Sequence, residues 1–271
     1  YGAHGDFPMR HRPAPWFVIN IADITQSRYH SLLDPRSTTR TYYRNVLEQW
    51  GKLHQTQGVA MSYYGYNWNL AENLMPYSKL KIWGQDLPYY HRLGVIGHNN
   101  EQDKAWSILG PHNYLMARLG WDIDLDWRQV LTQYCQLAFG NGAPFLEQYY
   151  RLLVDTQESA GQEAGSYHAI HLIFDREFVQ KARALFRQAE QAADTPYHKR
   201  MIDYFSQPVT ALEIYLDYRE AIEQFDFARA KERFAAMGAH ANAYLAKNAN
   251  LVSRYGIRYL NWLFKPFVEQ G

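Results

Sequence analysis

What most constrains the fold is the placement of three short apolar runs, all within the first hundred residues. Trp16-Phe-Val-Ile-Asn-Ile-Ala22, Gly58-Val-Ala-Met-Ser-Tyr63-Tyr64 and Gly94-Val-Ile-Gly97 carry β-branched and aromatic residues, so each reads as a buried strand. Between the first two, Tyr42, Tyr43, Val46, Leu47, Trp50 and Leu53 recur at helical spacing over Thr39 to His54. Between the second and third, Asp86 to Leu93 reads as a short helix. A strand period of about 40 residues is that of consecutive βα units in a parallel sheet or barrel.

The remainder of the chain reads as helix. The pattern from about Gly110 leads into Trp127 to Phe139, stopped by Gly140-Asn-Gly142, and then into Phe145 to Val154. After a polar break from Thr156 to Gly165 come Asp175 to Ala193, Pro196 to Phe225, Phe227 to Asn248 and Leu251 to Phe267. A closed eight-stranded barrel uses about 250 residues by itself. The expected fold class is therefore α/β: the C-terminal βα units of a TIM-like barrel, followed by an all-α helical domain. Residues 1–110 are expected to form the last three units, 111–160 helices packed on them, and 161–271 a helical bundle.

Parallel α/β folds keep their chemistry where strands end. Asp23, Glu72, Glu101 and Asp103 are the carboxylates that fall there, and Glu101 closes the abrupt change from Val95-Ile-Gly97 to His98-Asn99-Asn100-Glu101. Paired carboxylates are what glycoside hydrolysis needs, one to protonate the leaving oxygen and one to act as nucleophile or to position one. Glu101 and Asp23 are the expected catalytic pair. Tyr63, Tyr64, Tyr66 and Trp68, with Asn67 and Asn69 between them, form the densest aromatic and amide stretch, suited to stacking on sugar rings and reading their hydroxyls. With Glu72, Asn99, Asn100 and Asp103 they complete the expected substrate-binding set. With 22 Tyr and 8 Trp, the composition leans the same way.

Other chemistries find less support. Twenty-eight basic and 27 acidic residues leave a net charge of +1, which supplies no field for nucleic acid or an anionic membrane. No apolar run is long enough to span a bilayer. The single cysteine, Cys135, sits in an apolar helical pattern and admits no intrachain disulfide. Neither His30 with Asp34 nor His168 with His171 forms a metal-ligand cluster with the other acids, and Gly-rich phosphate loops and Gly-x-Ser-x-Gly elbows are lacking, so no cofactor is expected. The chain opens at Tyr1 without a Met, as a processed or truncated product would.

Several blocks in order point to a family. Trp50-Gly-Lys-Leu53, Tyr63-Tyr-Gly-Tyr-Asn67, Pro76, Asp86-Leu-Pro-Tyr-Tyr90, Gly94-Val-Ile-Gly97 and Glu101 are followed by Gly110-Pro-His-Asn-Tyr-Leu-Met-Ala-Arg-Leu-Gly-Trp-Asp122, Asp126, Tyr134 and Ala138-Phe-Gly140. This series resembles bacterial glycosidase-like proteins of the domain-of-unknown-function 4838 family. The resemblance implies a TIM-like barrel related to the endo-β-N-acetylglucosaminidases of glycoside hydrolase family 163 and, more remotely, to α-glucuronidases. It implies a secreted or periplasmic glycosidase-like protein whose acid at the end of the last strand, matching Glu101, is catalytic. The partners implied are a β-linked amino-sugar glycan and either the missing N-terminal part of the barrel or another copy of the chain. An isolated three-strand piece is accordingly not expected to behave as a monomer in solution. Two rival expectations are a non-catalytic carbohydrate-binding or scaffolding module, and a helical interaction domain in residues 166–271.

Overall fold

The structure is a computed structural model and describes residues 13–14, 16–22, 26–66, 74–101, 104–163 and 170–252. Three parallel strands, β1 (Val18–Ala22), β2 (Ala60–Tyr66) and β3 (Val95–Glu101), lie in the order β1-β2-β3. They are joined by helices α1 (Thr38–Gln57) and α2 (Leu80–Arg92). Then follow α3 (Trp106–Trp121), α4 (Trp127–Phe139), α5 (Ala143–Ser159), the single turn α6 (Ile170–Ile173), α7 (Arg176–Ala192), α8 (Pro196–Glu223) and α9 (Phe227–Lys247). The result is a mostly helical α/β chain with a small parallel sheet.

Local chemistry sets most helix starts. Ser37, Asp126, Asp175, Thr195 and Asp226 each offer a side-chain oxygen to an orphan backbone N–H at the start of α1, α4, α7, α8 and α9. Gly58, at φ 69°, closes α1 in the left-handed conformation that glycine adopts without strain. Glu163 comes from far along the chain to accept from Thr39 N–H at 2.9 Å and from Ser37 Oγ at 2.8 Å, placing a carboxylate at the positive end of α1.

Helices α2 and α3 and strand β3 differ most from the sequence-based expectation. Helix α2 begins at Leu80 rather than Asp86, although it contains Gly84 and Pro88. Pro88 removes one intrahelical hydrogen bond, while Gly84 lets the helix close onto Trp127, with which any Cβ at that position would collide. Burial of Leu80, Ile82, Trp83, Leu87 and Tyr90 outweighs both breakers. Helix α3 starts at Trp106, ahead of Gly110 and Pro111, for the same reason: Ile108, Leu109 and Leu115 are buried. Strand β3 does not stop at Gly97 but runs on through His98, Asn99 and Asn100 to Glu101. It pairs only with β2 among the described residues, and most of its side chains are exposed, so polar residues cost little there. The run expected from Leu251 to Phe267 lies outside the described residues beyond Val252.

One contiguous set of buried side chains extends from Ile21 in β1 to Val252. Tyr204 of α8 anchors the start of α3, accepting from Ser107 N–H at 3.1 Å and donating to Leu251 O at 2.9 Å.

His112 of α3 is buried in this core. Its Nε2 accepts from Lys79 N–H at 3.1 Å, and its Nδ1 has no partner among the described residues. Burial, reinforced by the Lys79 charge, lowers its pKa from 6.5 to about 3. The unfolded chain therefore takes the proton first: the stability His112 contributes is intact above 6.5 and is lost as pH falls toward 3. Wild type is expected to lose about 1.4 kcal/mol of stability per pH unit below that point through this residue. His112→Gln keeps an acceptor for Lys79 but cannot titrate, so its urea-unfolding free energy should fall less steeply with acid. Equal slopes for the two proteins would remove His112 from the account.

Candidate functional site

In-register parallel pairing decides which side chains share a face of the sheet, because neighbouring partners point the same way and successive residues alternate. Pairing sets Asn20 beside Ser62, Ala22 beside Tyr64, Tyr64 beside Asn99, and Tyr66 beside Glu101. These residues rise in rows toward the C-terminal ends of the strands. Ser62 Oγ donates to Asn20 Oδ1 at 3.1 Å in the lowest row. Near the top, the Tyr64 hydroxyl donates to Glu101 Oε2 over 3.3 Å, and the Tyr64 and Tyr66 rings meet edge to face at 5.4 Å. The guanidinium of Arg28 lies 5.9 Å from the Tyr66 ring centre. Asn20 and Asn99 are exposed and Tyr64 and Glu101 half-buried, so this face combines solvent access with fixed donors and acceptors.

Chemically the face can hold a hydroxylated ligand. Tyr64 engages one oxygen of Glu101, which leaves Oε1 for a ligand proton or hydroxyl. The side-chain amides of Asn20 and Asn99 offer both donors and acceptors, as sugar hydroxyls require. Glu101 is the one carboxylate in the three strands.

The other face packs on the helices and receives two residues expected at the site. Tyr63 is 4% exposed, stacked on Tyr90 at 4.3 Å between ring centres and edge-on to Trp83 at 6.4 Å. It belongs to the core, one residue out of phase with Tyr64. Asn100 pairs with Gly65, where an added Cβ would run into Asn100 Oδ1 and the Tyr63 ring, and that oxygen is enclosed without a partner among the described residues. The structure thus brings Tyr64, Tyr66, Asn99 and Glu101 together and turns Tyr63 and Asn100 away from them. Asp23, Asn67, Trp68, Asn69, Glu72 and Asp103 lie outside the described residues.

Sequence reasoning missed Asn20 and Ser62, which fall inside or beside apolar runs. The period-two alternation that places them with Tyr64 is legible once strand register is known. It also passed over a polar cluster at the C-terminal ends of β1 and β2. There Arg36 holds Asp34 through contacts of 2.6 and 2.9 Å, and Lys81 meets Glu158 at 2.5 Å. These residues belong to three separate stretches of chain, so spacing carries no signal of their proximity.

No curated protein and no solved structure matches the chain. The model of the domain of unknown function DUF4838 matches residues 1–151. A match over more than half of the length, on the segment that carries the sheet and Glu101, shows that the chain belongs to the DUF4838 family.

Proposed function

We propose that this chain contributes the last βα units of a TIM-like barrel that hydrolyses a glycan, with Glu101 as general acid/base. The single observation that carries the reading is the position of Glu101: the final residue of the last strand, beside Tyr64, on the face turned from the core-packed Tyr63. Three consecutive parallel strands in sequential order, joined by helical crossovers, are the arrangement of consecutive βα units in such a barrel, which supports this reading. Catalytic groups in such barrels stand at the C-terminal strand ends. The relation to family 163 endo-β-N-acetylglucosaminidases that the DUF4838 resemblance implies is the ground for reading a β-linked amino-sugar glycan as substrate and a secreted or periplasmic setting. Asp23, which follows the last residue of β1 directly, is the partner carboxylate in this reading.

Hydrolysis then follows the two-carboxylate scheme. Glu101 delivers its proton to the leaving glycosidic oxygen while the partner acid acts on the anomeric carbon or on a water. A second reading, a carbohydrate-binding module without turnover, is favoured by the presence of only one carboxylate in the three described strands. Glu101→Gln separates them. If Glu101 is the acid/base, hydrolysis of N-acetylglucosaminide glycans by the wild-type gene product falls about a hundredfold or more in the variant, while glycan binding is retained. Hydrolysis unchanged by the substitution would defeat the assignment, and binding by a wild type that never turns over would support the module.

A further inference from the structure

A second cleft, distinct from the Glu101 face, opens at the rim of the sheet. Its volume is about 360 Å³, within the range of small-ligand sites. The connection from β1 to α1 forms one wall, the first half of α2 another, and the end of α5 the third. Its charged groups are already engaged. Arg36 is committed to Asp34, which it holds below the usual carboxylate range, and donates to Glu158 O at 3.2 Å; Lys81 is committed to Glu158. A charged ligand would have to open ion pairs that tie the three walls together.

Neutral hydrogen-bonding groups are what remain. His30, 3% exposed, lines the cleft, and its Nδ1 is satisfied by Ser27 Oγ at 2.8 Å. Burial lowers its pKa below the usual histidine value against the pull of Asp34 and Glu163, which favours the neutral ring. Its Nε2 has no hydrogen-bond partner among the described residues, and His30 lines the cleft. Whichever tautomer His30 adopts, Nε2 needs one partner that can either donate or accept, and a hydroxyl does both. Ser31 Oγ accepts from Leu33 N–H at 3.1 Å and Ser78 Oγ from Leu80 N–H at 3.2 Å, so each keeps its own O–H to donate. Leu33 and Ile82 add apolar surface.

We propose that this cleft is a second, non-catalytic site for a neutral saccharide, in which hydroxyls bridge His30, Ser31 and Ser78 while the ring rests on Leu33 and Ile82. The site does not depend on turnover at Glu101. Amide NMR titration of the full chain with the methyl glycosides of glucose, galactose, mannose and N-acetylglucosamine tests it, with glutamate and glucuronate as charged controls. At least one neutral glycoside is expected to shift the amides of Ser31, Leu33 and Gln157 at roughly millimolar concentration. Gln85→Trp, on the α2 wall, should fill the cleft and weaken that response about tenfold or more, leaving any response at Asn99 and Glu101 in place. Should that variant fail to fold, Ser31→Ala, which removes one of the donors, should weaken it as well. Silence toward all four neutral glycosides, a response to the charged controls alone, or shifts confined to the Glu101 face would overturn the proposal. The last of these would leave the proposed function standing, whereas undiminished hydrolysis by Glu101→Gln would strike that function and not this cleft.

Discussion

Replacing Asp86 with alanine is expected to lower the unfolding free energy by about 3 to 5 kcal/mol, the range for removing one partner from a set of buried charges. Asp86 is 5% exposed and accepts from Leu32 N–H at 2.9 Å across 54 residues of sequence, so it anchors the β1–α1 connection to α2. It also lines a small cavity beneath the sheet with Arg40 and Lys79, each 2% exposed, and is the one negative group among the described residues that line it. Truncation would remove a negative group from beside two buried cations. Asp86→Asn keeps an oxygen for Leu32 and removes only the charge, so its loss should be intermediate. Urea denaturation of the three proteins measures this directly, and a cost below about 1 kcal/mol for the alanine variant would mean the cations are neutralised by other groups.

How far the fold could be read before its coordinates depended on whether the deciding signal was local. Helix α4 runs from Trp127 to Phe139 as expected to the residue, because Asp126 caps one end and Gly140 stops the other within the segment itself. The starts of α7, α8 and α9 were legible for the same reason. Helix α2 was not, since Gly84 and Pro88 look like breakers until Trp127, from another helix, is seen packed on Gly84. Strand β3 looked finished at Gly97 because its later residues are polar, and only its pairing with Tyr63 through Tyr66 of β2 continues it. Within the candidate site, the acid at the strand end was readable as a residue type in a position. The cleft at the rim was not, because Arg36, Lys81 and Glu158 are brought together by tertiary packing alone.

The adjacent pair Tyr63 and Tyr64 shows what alternation does to a functional expectation, and it gives the sharpest test of the strand's orientation. Identical side chains one position apart point to opposite faces. Tyr63→Ala removes a ring packed between Tyr90 and Trp83 and is expected to cost about 3 to 5 kcal/mol of stability, the range for emptying a buried aromatic site. Tyr64→Ala removes a half-buried ring, so the loss should stay near 1 kcal/mol, the typical size of a point substitution. What Tyr64→Ala does take away is the donor that engages Glu101 and the edge partner of Tyr66, so glycan affinity or turnover should drop with the stability largely kept. Tyr63→Ala should do the reverse at any temperature where it remains folded. Melting curves and glycan titrations of the two variants therefore form a crossed design. If Tyr64→Ala proved the more destabilising of the two, the face bearing Glu101 would be the packed one, and the chemistry proposed for it would have no open surface on which to act.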